Sequence, residues 1–222
     1  RRHFPGLERV LEEHGVPEDF KYLALAESGL SQAVSPAGAV GFWQLLKGTA
    51  RDYGLEISSE VDERYHIEKS TAVACRYILD SYKHYGNWTM AAASYNAGRR
   101  GIDRQVERQK TENYYDLLLN EETARYIFRV LAFKMIFKDP EAYGFRIPES
   151  ERYPQIPVYE VRVDSSINHF ADFAIIHGCN YKILKRLNPW LRDTGLTNSA
   201  GKSYSILLPR EGFRRPDAWE KP

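Results

Sequence analysis

Tyr22-Leu23-Ala24-Leu25-Ala26-Glu27-Ser28-Gly29-Leu30 places one carboxylic acid at the end of an apolar run. Leu23, Leu25, Ala26 and Leu30 predict a helix, and Gly29 predicts its stop. A carboxyl held among apolar neighbours loses hydration of its charged form. Its pKa rises, and it stays protonated near neutral pH. A general acid for a glycosidic oxygen has that property. From spacing alone, the wet face of an amphipathic helix is the commoner place for a glutamate.

Outward from this stretch the chain reads as helical to about residue 147. Phe4, Leu7, Val10 and Leu11 have helical spacing that stops at Gly15. Pro17-Glu18-Asp19 marks a helix start, with the proline just inside and acids in the first turn. Small residues from Ser31 to Gly41 predict a loop. Further helices are expected over Phe42–Tyr53, Ile67–Tyr85 and Thr89–Ala97, the last capped near Thr89. Glu121–Phe137 reads as amphipathic, with Tyr126, Ile127, Val130, Leu131 and Ile136 on the buried side.

The composition then changes. Ile147-Pro148, Tyr153-Pro154 and Ile156-Pro157 force extended backbone and predict a linker over 148–157. Val158 to Val163 reads as a strand. Helices are expected around Phe170–Ala174 and Tyr181–Leu187, the second ended by Asn188-Pro189, and a closing strand over Tyr204–Leu208. The fold class is therefore mainly α, a helical domain over 1–147 followed by a small α+β module over 158–210, strand-helix-helix-strand. A polar tail occupies 211–222.

The formal net charge of +1 over 222 residues gives no basis for a nucleic-acid partner. Two cysteines, Cys75 and Cys179, are too few and too scattered for a disulfide framework or a thiolate metal site. Cys75 shares a helical face with Ala72 and Ile78 and is expected to be buried. No apolar run approaches the ~20 residues of a membrane span. No secretory signal precedes Arg1-Arg2-His3, which fits a cytosolic protein or one whose targeting segment has been removed.

Three more stretches carry candidate chemistry. Gly38-Ala39-Val40-Gly41-Phe42-Trp43-Gln44 is a glycine-bracketed turn ending in an amide that can both donate and accept. Ala93-Ser94-Tyr95-Asn96-Ala97-Gly98 sets a polar pair at a helix end. Glu122-Thr123-Ala124-Arg125-Tyr126 opens a helix with acids. Each also fits an ordinary turn, cap or first turn.

In this order, the four blocks resemble the signature of family 1 lytic transglycosylases, the SLT catalytic domain. Glu27-Ser28 resembles its Glu-Ser pair, and Gly41 to Gln44 its Gly-Leu-Met-Gln block. Tyr95 to Gly98 resembles its Tyr-Asn-Ala-Gly block, and Glu122 to Tyr126 its Glu-Thr-x-x-Tyr block. Ser35 falls on a serine of the intervening loop. The resemblance covers about residues 5–145. It is strongest to the membrane-bound murein transglycosylase D type, which couples this domain to LysM modules. Phe42-Trp43 in place of Leu-Met, Ser94 in place of alanine, and Leu119-Asn120 in place of Leu-Pro are departures.

The resemblance implies a lysozyme-like helical fold and Glu27 as the sole catalytic residue, acid then base. It implies that Ser28, Ser35, Gln44, Tyr95, Asn96, Glu122 and Tyr126 bind substrate, without metal or cofactor. Most glycosidases flank the bond with two carboxylates. No second acid appears between Glu27 and Asp52. One acid suffices if the sugar supplies its own nucleophile. The implied reaction cuts the MurNAc–GlcNAc β-1,4 bond of peptidoglycan and leaves 1,6-anhydroMurNAc ends. A goose-type hydrolytic muramidase and a non-catalytic cell-wall binding protein stay open as alternatives.

Val158 to Pro209 resembles a LysM domain, the clearest part being Leu187-Asn188-Pro189. Ile167-Asn168-His169-Phe170 replaces the usual Gly-Asp-Thr-Leu, so glycan binding and packing against the helical domain are both open for this module. The expected partners are peptidoglycan strands, not nucleic acid, with the chain a monomer. The substrate implies the bacterial periplasm or outer membrane, with anchoring through a missing N-terminal segment consistent with the abrupt start.

Overall fold

A computed structural model describes residues 2–213. Of the polar tail expected over 211–222, residues 214–222 lie outside the described residues. The architecture is mainly α, with one two-stranded antiparallel sheet near the C-terminus.

Helix α1 (Phe4–Glu13) buries Phe4, Leu7, Val10 and Leu11, and the chain leaves it through Gly15 at φ +70°. Pro17 precedes a short 3-10 turn, Glu18–Phe20, and is not inside a helix. Its ψ of 137° is extended, and the turn instead buries Phe20. Helix α2 (Lys21–Ser28) follows at once and buries Tyr22, Leu23, Ala24 and Leu25. Lys21 is buried too, paired with Glu8 and Glu18. Gly29, at φ +62°, ends the helix in the left-handed conformation.

The helix expected over Phe42–Tyr53 is shorter, and α3 spans only Lys47–Asp52. Phe42 to Leu45 form a reverse turn, closed by a bridge between Val40 and Leu45. The cause is burial: Phe42 and Trp43 are 3% and 0% exposed, and a turn lets both enter the core. A side chain of that size contributes roughly 1.5–3 kcal/mol when fully buried.

Helix α4 (Ile67–Tyr85) runs as the sequence predicts, from a cap at His66 to Gly86 at φ +72°. Helix α5 (Trp88–Ala97) is capped by Asn87, whose Oδ1 accepts from Met90 N at 2.8 Å. Thr89, expected near the cap, lies one residue inside. Helix α6 (Arg99–Gln109) is polar nearly all round, with Ile102 its one buried residue. Helix α7 (Glu121–Lys138) packs its first half on α2 and α5 and buries Thr123, Tyr126 and Ile127. Val130, Phe133 and Phe137 continue the packed stripe. Leu131, expected inside, is 43% exposed because it falls off that stripe. Ile136 is half-buried. Cys75 is buried in the helical core.

The segment expected as a linker is mostly exposed and holds a 3-10 turn at Glu149–Glu151. Strand β1 (Val158–Val163) then pairs antiparallel with β2 (Tyr204–Pro209), from Val158 opposite Pro209 to Val163 opposite Tyr204. Between them lie α8 (Phe170–Ile176) and α9 (Tyr181–Leu187). Asn188 is fully buried. Its amide donates to the carbonyls of Leu184 (2.9 Å) and Leu207 (2.7 Å) and accepts from Leu207 N (2.8 Å), tying α9 to β2.

This C-terminal unit shares a core with the helical part. Phe170, Leu184, Trp190 and Ile206 pack with Val40, Val61 and Tyr65. Backbone bonds cross the seam from Asp62 N to Trp190 O (2.9 Å) and from Arg192 N to Glu60 O (2.7 Å). The Arg192 guanidinium lies 4.0 Å from the centre of the Tyr65 ring.

Candidate active site

Glu27 stands in the last turn of α2, one residue from its C-terminus. The helix buries its apolar face, so Glu27 is drawn partly inside with it. Tyr126, fully buried on α7, donates its hydroxyl hydrogen to Glu27 Oε1. Burial pushes the Glu27 carboxyl above its ordinary value of 4.5. The Tyr126 bond and the nearby Arg129 charge pull it back in part, and Glu122 adds a smaller upward push. Burial also holds the hydroxyls of Tyr126 and Tyr95 well above the ordinary tyrosine value, so both remain protonated donors.

Tyr95 emerges from α5 and donates to Trp43 O at 2.7 Å. That bond pins the Phe42–Leu45 turn from below, and the Tyr95 and Trp43 rings meet edge to face at 6.3 Å. Ser28 donates to Phe42 O at 2.9 Å, fixing the same turn to α2. Gln44 adopts φ +45°, unusual for a residue with a side chain. Its Nε2 donates to Ala33 O (3.1 Å) and Gly41 O (3.0 Å), which offsets the strain and closes the loop on itself. Ser35 Oγ accepts from Ala39 N at 3.0 Å and holds the loop tip. Three of the serine and amide residues expected to bind substrate, Ser28, Ser35 and Gln44, are thus hydrogen-bonded to the backbone of this loop.

Gly41 could not be another residue. Its φ is +78°, and an added Cβ would stand 2.4 Å from Arg64 O. Arg64 is buried and clamps the loop from outside. Its Nη1 donates to Gly38 O (3.1 Å) and Leu45 O (3.3 Å), while Nε and Nη2 grip both oxygens of Asp62 at 3.0 and 2.7 Å.

At the other wall, Asn96 donates to Glu122 Oε1 at 3.1 Å and accepts from Thr123 Oγ1 at 2.9 Å. Asn120 caps α7 by accepting from Thr123 N at 2.8 Å. All eight residues singled out in the sequence therefore belong to α2, α5, the start of α7 and the loop at 35–44. Direct hydrogen bonds join Glu27 to Tyr126 and Asn96 to Glu122, while Ser28 and Tyr95 both tie to the Phe42–Trp43 turn.

Sequence reasoning missed Arg129. Its guanidinium lies 5.4 Å from the centre of the Tyr126 ring and acts on the Glu27 charge. The signal was available: Arg129 is three residues after Tyr126, one turn along the same helix face. Among the described residues no cluster of three or more His, Cys, Asp or Glu could hold a metal ion.

The site is thus a partly buried acid at a helix end, hydrogen-bonded to a buried tyrosine, on a helix that Ser28 ties to a clamped glycine loop. The model of the transglycosylase SLT domain matches residues 8–118, half of the chain, and the protein belongs to that family. The soluble lytic transglycosylase C-terminal LysM-like domain matches residues 159–212. The chain is 26% identical over 207 residues to membrane-bound lytic murein transglycosylase D of Escherichia coli, in each of two strains. The match covers 90% of this chain and 45% of the relative, so the chain spans about half the length of the curated relatives it matches. An inactive mutant of the lytic transglycosylase Slt of Pseudomonas aeruginosa aligns with 67% of this chain and 26% of its own, at 21% identity and a TM-score of 0.47.

Proposed function

We propose that this protein is a peptidoglycan lytic transglycosylase that cleaves the MurNAc–GlcNAc β-1,4 bond with Glu27 as acid and then base. The observation that carries this reading is Glu27 itself, a partly buried carboxyl with a raised pKa, held by the buried Tyr126 hydroxyl. Protonated Glu27 gives its proton to the glycosidic oxygen as the C1–O bond breaks. The N-acetyl oxygen of the muramic acid shields C1 from the opposite face. The 6-hydroxyl of the same sugar then attacks C1 and returns a proton to Glu27. The atoms balance without water, and the product ends in a 1,6-anhydro ring.

Tyr126 orients the carboxyl through each step, since a hydrogen bond fixes direction as well as charge. Gln44, Asn96 and Glu122 line the walls with donors and acceptors for acetamido and hydroxyl groups. Ser28, Ser35 and Tyr95 keep the loop in register for the sugar. The chain divides at the proline-rich segment 148–157 into this domain, 1–147, and the LysM-like module, 158–210. For that module we favour packing over glycan capture. Glu60 of the helical part binds Thr197 through both its backbone N–H and its hydroxyl, at 2.8 Å each.

The curated Escherichia coli relative is described as membrane-bound. Placement in the bacterial envelope, periplasmic or at the outer membrane, follows from the substrate. No helix among the described residues is long and apolar enough to cross a membrane.

The test is mass spectrometry of peptidoglycan digested by the purified protein. Anhydro-ended muropeptides are expected. Products ending in reducing MurNAc would replace this reading with a hydrolytic muramidase. Binding to sacculi with no release of fragments would replace it with a binding protein.

A further inference from the structure

A cavity of about 460 Å3 opens at the seam between the helical part and the C-terminal unit. No residue of the Glu27 site lines it. Its walls come from the start of α4 (His66, Lys69), from β1 (Glu160, Arg162), and from the buried pair Trp190 and Tyr204 with the serines flanking Tyr204. Trp190 and Tyr204 stack at 5.8 Å, and His66 leans on Trp190 at 5.7 Å, so the floor is rigid and aromatic.

The charges around that floor are of both signs. Arg162 gives its Nε to Ser203 at 2.5 Å, which leaves the two terminal guanidinium nitrogens for a ligand. Lys69 also serves Glu63 but keeps further N–H donors. His66 Nδ1 accepts from Lys69 N, so in the neutral ring the hydrogen sits on Nε2. Burial keeps that ring neutral, its pKa lowered to about 4. Beside Arg162, Glu160 accepts from Ser205 and retains acceptor capacity. Glu160 and Arg162 are two residues apart on one strand, so both stand on the same sheet face.

We infer that this seam cavity binds the zwitterionic end of a peptide, its carboxylate taken by Arg162, Lys69 and His66 and its ammonium by Glu160. A forked guanidinium beside an ammonium donor suits a carboxylate, and the acid of the lining, Glu160, two residues along the strand from Arg162, suits an amine. Sugars are less well served, because Trp190 and Tyr204 are 3% and 5% exposed and present no open face for stacking. The choice of peptide rests on the peptidoglycan reading, since the stem peptides of that polymer carry free carboxylates and amines. The charge arrangement does not depend on it.

The experiment is calorimetric titration of the whole chain with the free tripeptide L-Ala-γ-D-Glu-meso-diaminopimelate. A second titration uses the same peptide acetylated on its amines. Saturable binding of the free tripeptide is expected. Arg162→Ala should weaken it by about tenfold or more, and Arg162→Lys by less, since charge survives without the fork. Acetylation should weaken binding to the wild type, and Glu160→Gln should remove the difference between the two peptides. Circular dichroism and Tm establish that each variant is folded. No saturable binding by the wild type, or equal binding by wild type and Arg162→Ala, would overturn the proposal. The tripeptide has no glycosidic bond, so this outcome is independent of whether the protein cuts glycan.

Discussion

Tyr126 donates its hydroxyl hydrogen to Glu27 across 99 positions of sequence, and that single bond joins α7 to the end of α2. Tyr126 is wholly buried, so the carboxyl is held by a partner that cannot swing into solvent. The pair defines the acid's direction, and the proposed chemistry hangs on it.

Glu27→Gln is expected to lower glycan release by at least about a hundredfold, the usual contribution of a positioned acid–base group. The amide keeps the shape and can still accept from Tyr126. Release of soluble muropeptides from sacculi measures this, and unchanged release would remove Glu27 from the mechanism.

The same substitution should affect stability with a definite sign. The folded-state pKa of Glu27 is raised above its ordinary 4.5, so the folded protein binds this proton more tightly than the unfolded chain. The favourable contribution is present in full below the ordinary value and is lost as pH rises through the raised one. Glu27→Gln should therefore have a higher Tm than wild type above that window, with the gap closing at pH below 4.5. A gap that widens in acid would contradict the raised pKa.

Tyr126→Phe and Arg129→Ala remove two influences that favour the ionised carboxylate. Glu27 must begin protonated, so activity falls as pH rises through its pKa. Both variants should move that alkaline limb to higher pH. Tyr126→Phe should also lose about tenfold in turnover, because the carboxyl loses its orienting bond. Initial rates against pH on soluble glycan measure both, and a limb that moves to lower pH would reverse the assigned electrostatics.

Gly41→Ala is expected to cost about 2–4 kcal/mol, since it combines a left-handed φ with a clash against a backbone carbonyl. Asn188→Ala should cost about as much, because it leaves both the N–H and the carbonyl of Leu207 without their partner and empties a fully buried position, while Leu184 O keeps its bond from the residue 188 N–H. Urea unfolding followed by circular dichroism gives both values. Losses under about 0.5 kcal/mol would show that the chain relaxes around these sites.

The long helices were legible because their apolar period and end signals agree: Ile67–Tyr85 stops at Gly86, and Glu121 opens behind Asn120. The strand-helix-helix-strand order was legible from alternation in Val158–Val163 and from Asn188-Pro189. Helix α6 was not, because its apolar stripe is only Ile102 and Val106, too short to stand out from the charged residues around it. The Phe42–Leu45 turn read as helix because two adjacent large aromatics look like a helix face. Burial of both rings favours a turn there, and the Arg64 clamp and the bond from Tyr95 that hold it are both distant in sequence. In the candidate site, spacing alone favoured a surface glutamate, and the resemblance of the four ordered blocks to the SLT signature marked Glu27 and its companions. The pairing of Glu27 with Tyr126, and the presence of Arg129, depend on how α2 and α7 cross.

The stretch from Val61 to Arg64 is built into two structures at once. On one side Arg64 holds the carbonyls of Gly38 and Leu45, and on the other Val61 and Asp62 continue into the backbone of Trp190 and Leu191. The two halves of this protein are therefore not beads on a string. A chimera that kept the helical half and borrowed a foreign C-terminal unit would strip the cover from Val40, Val61 and Tyr65, and would unsettle the loop from Gly38 to Leu45 without altering one residue of it. Recombination within such proteins would succeed only where both sides of that shared strip travel together.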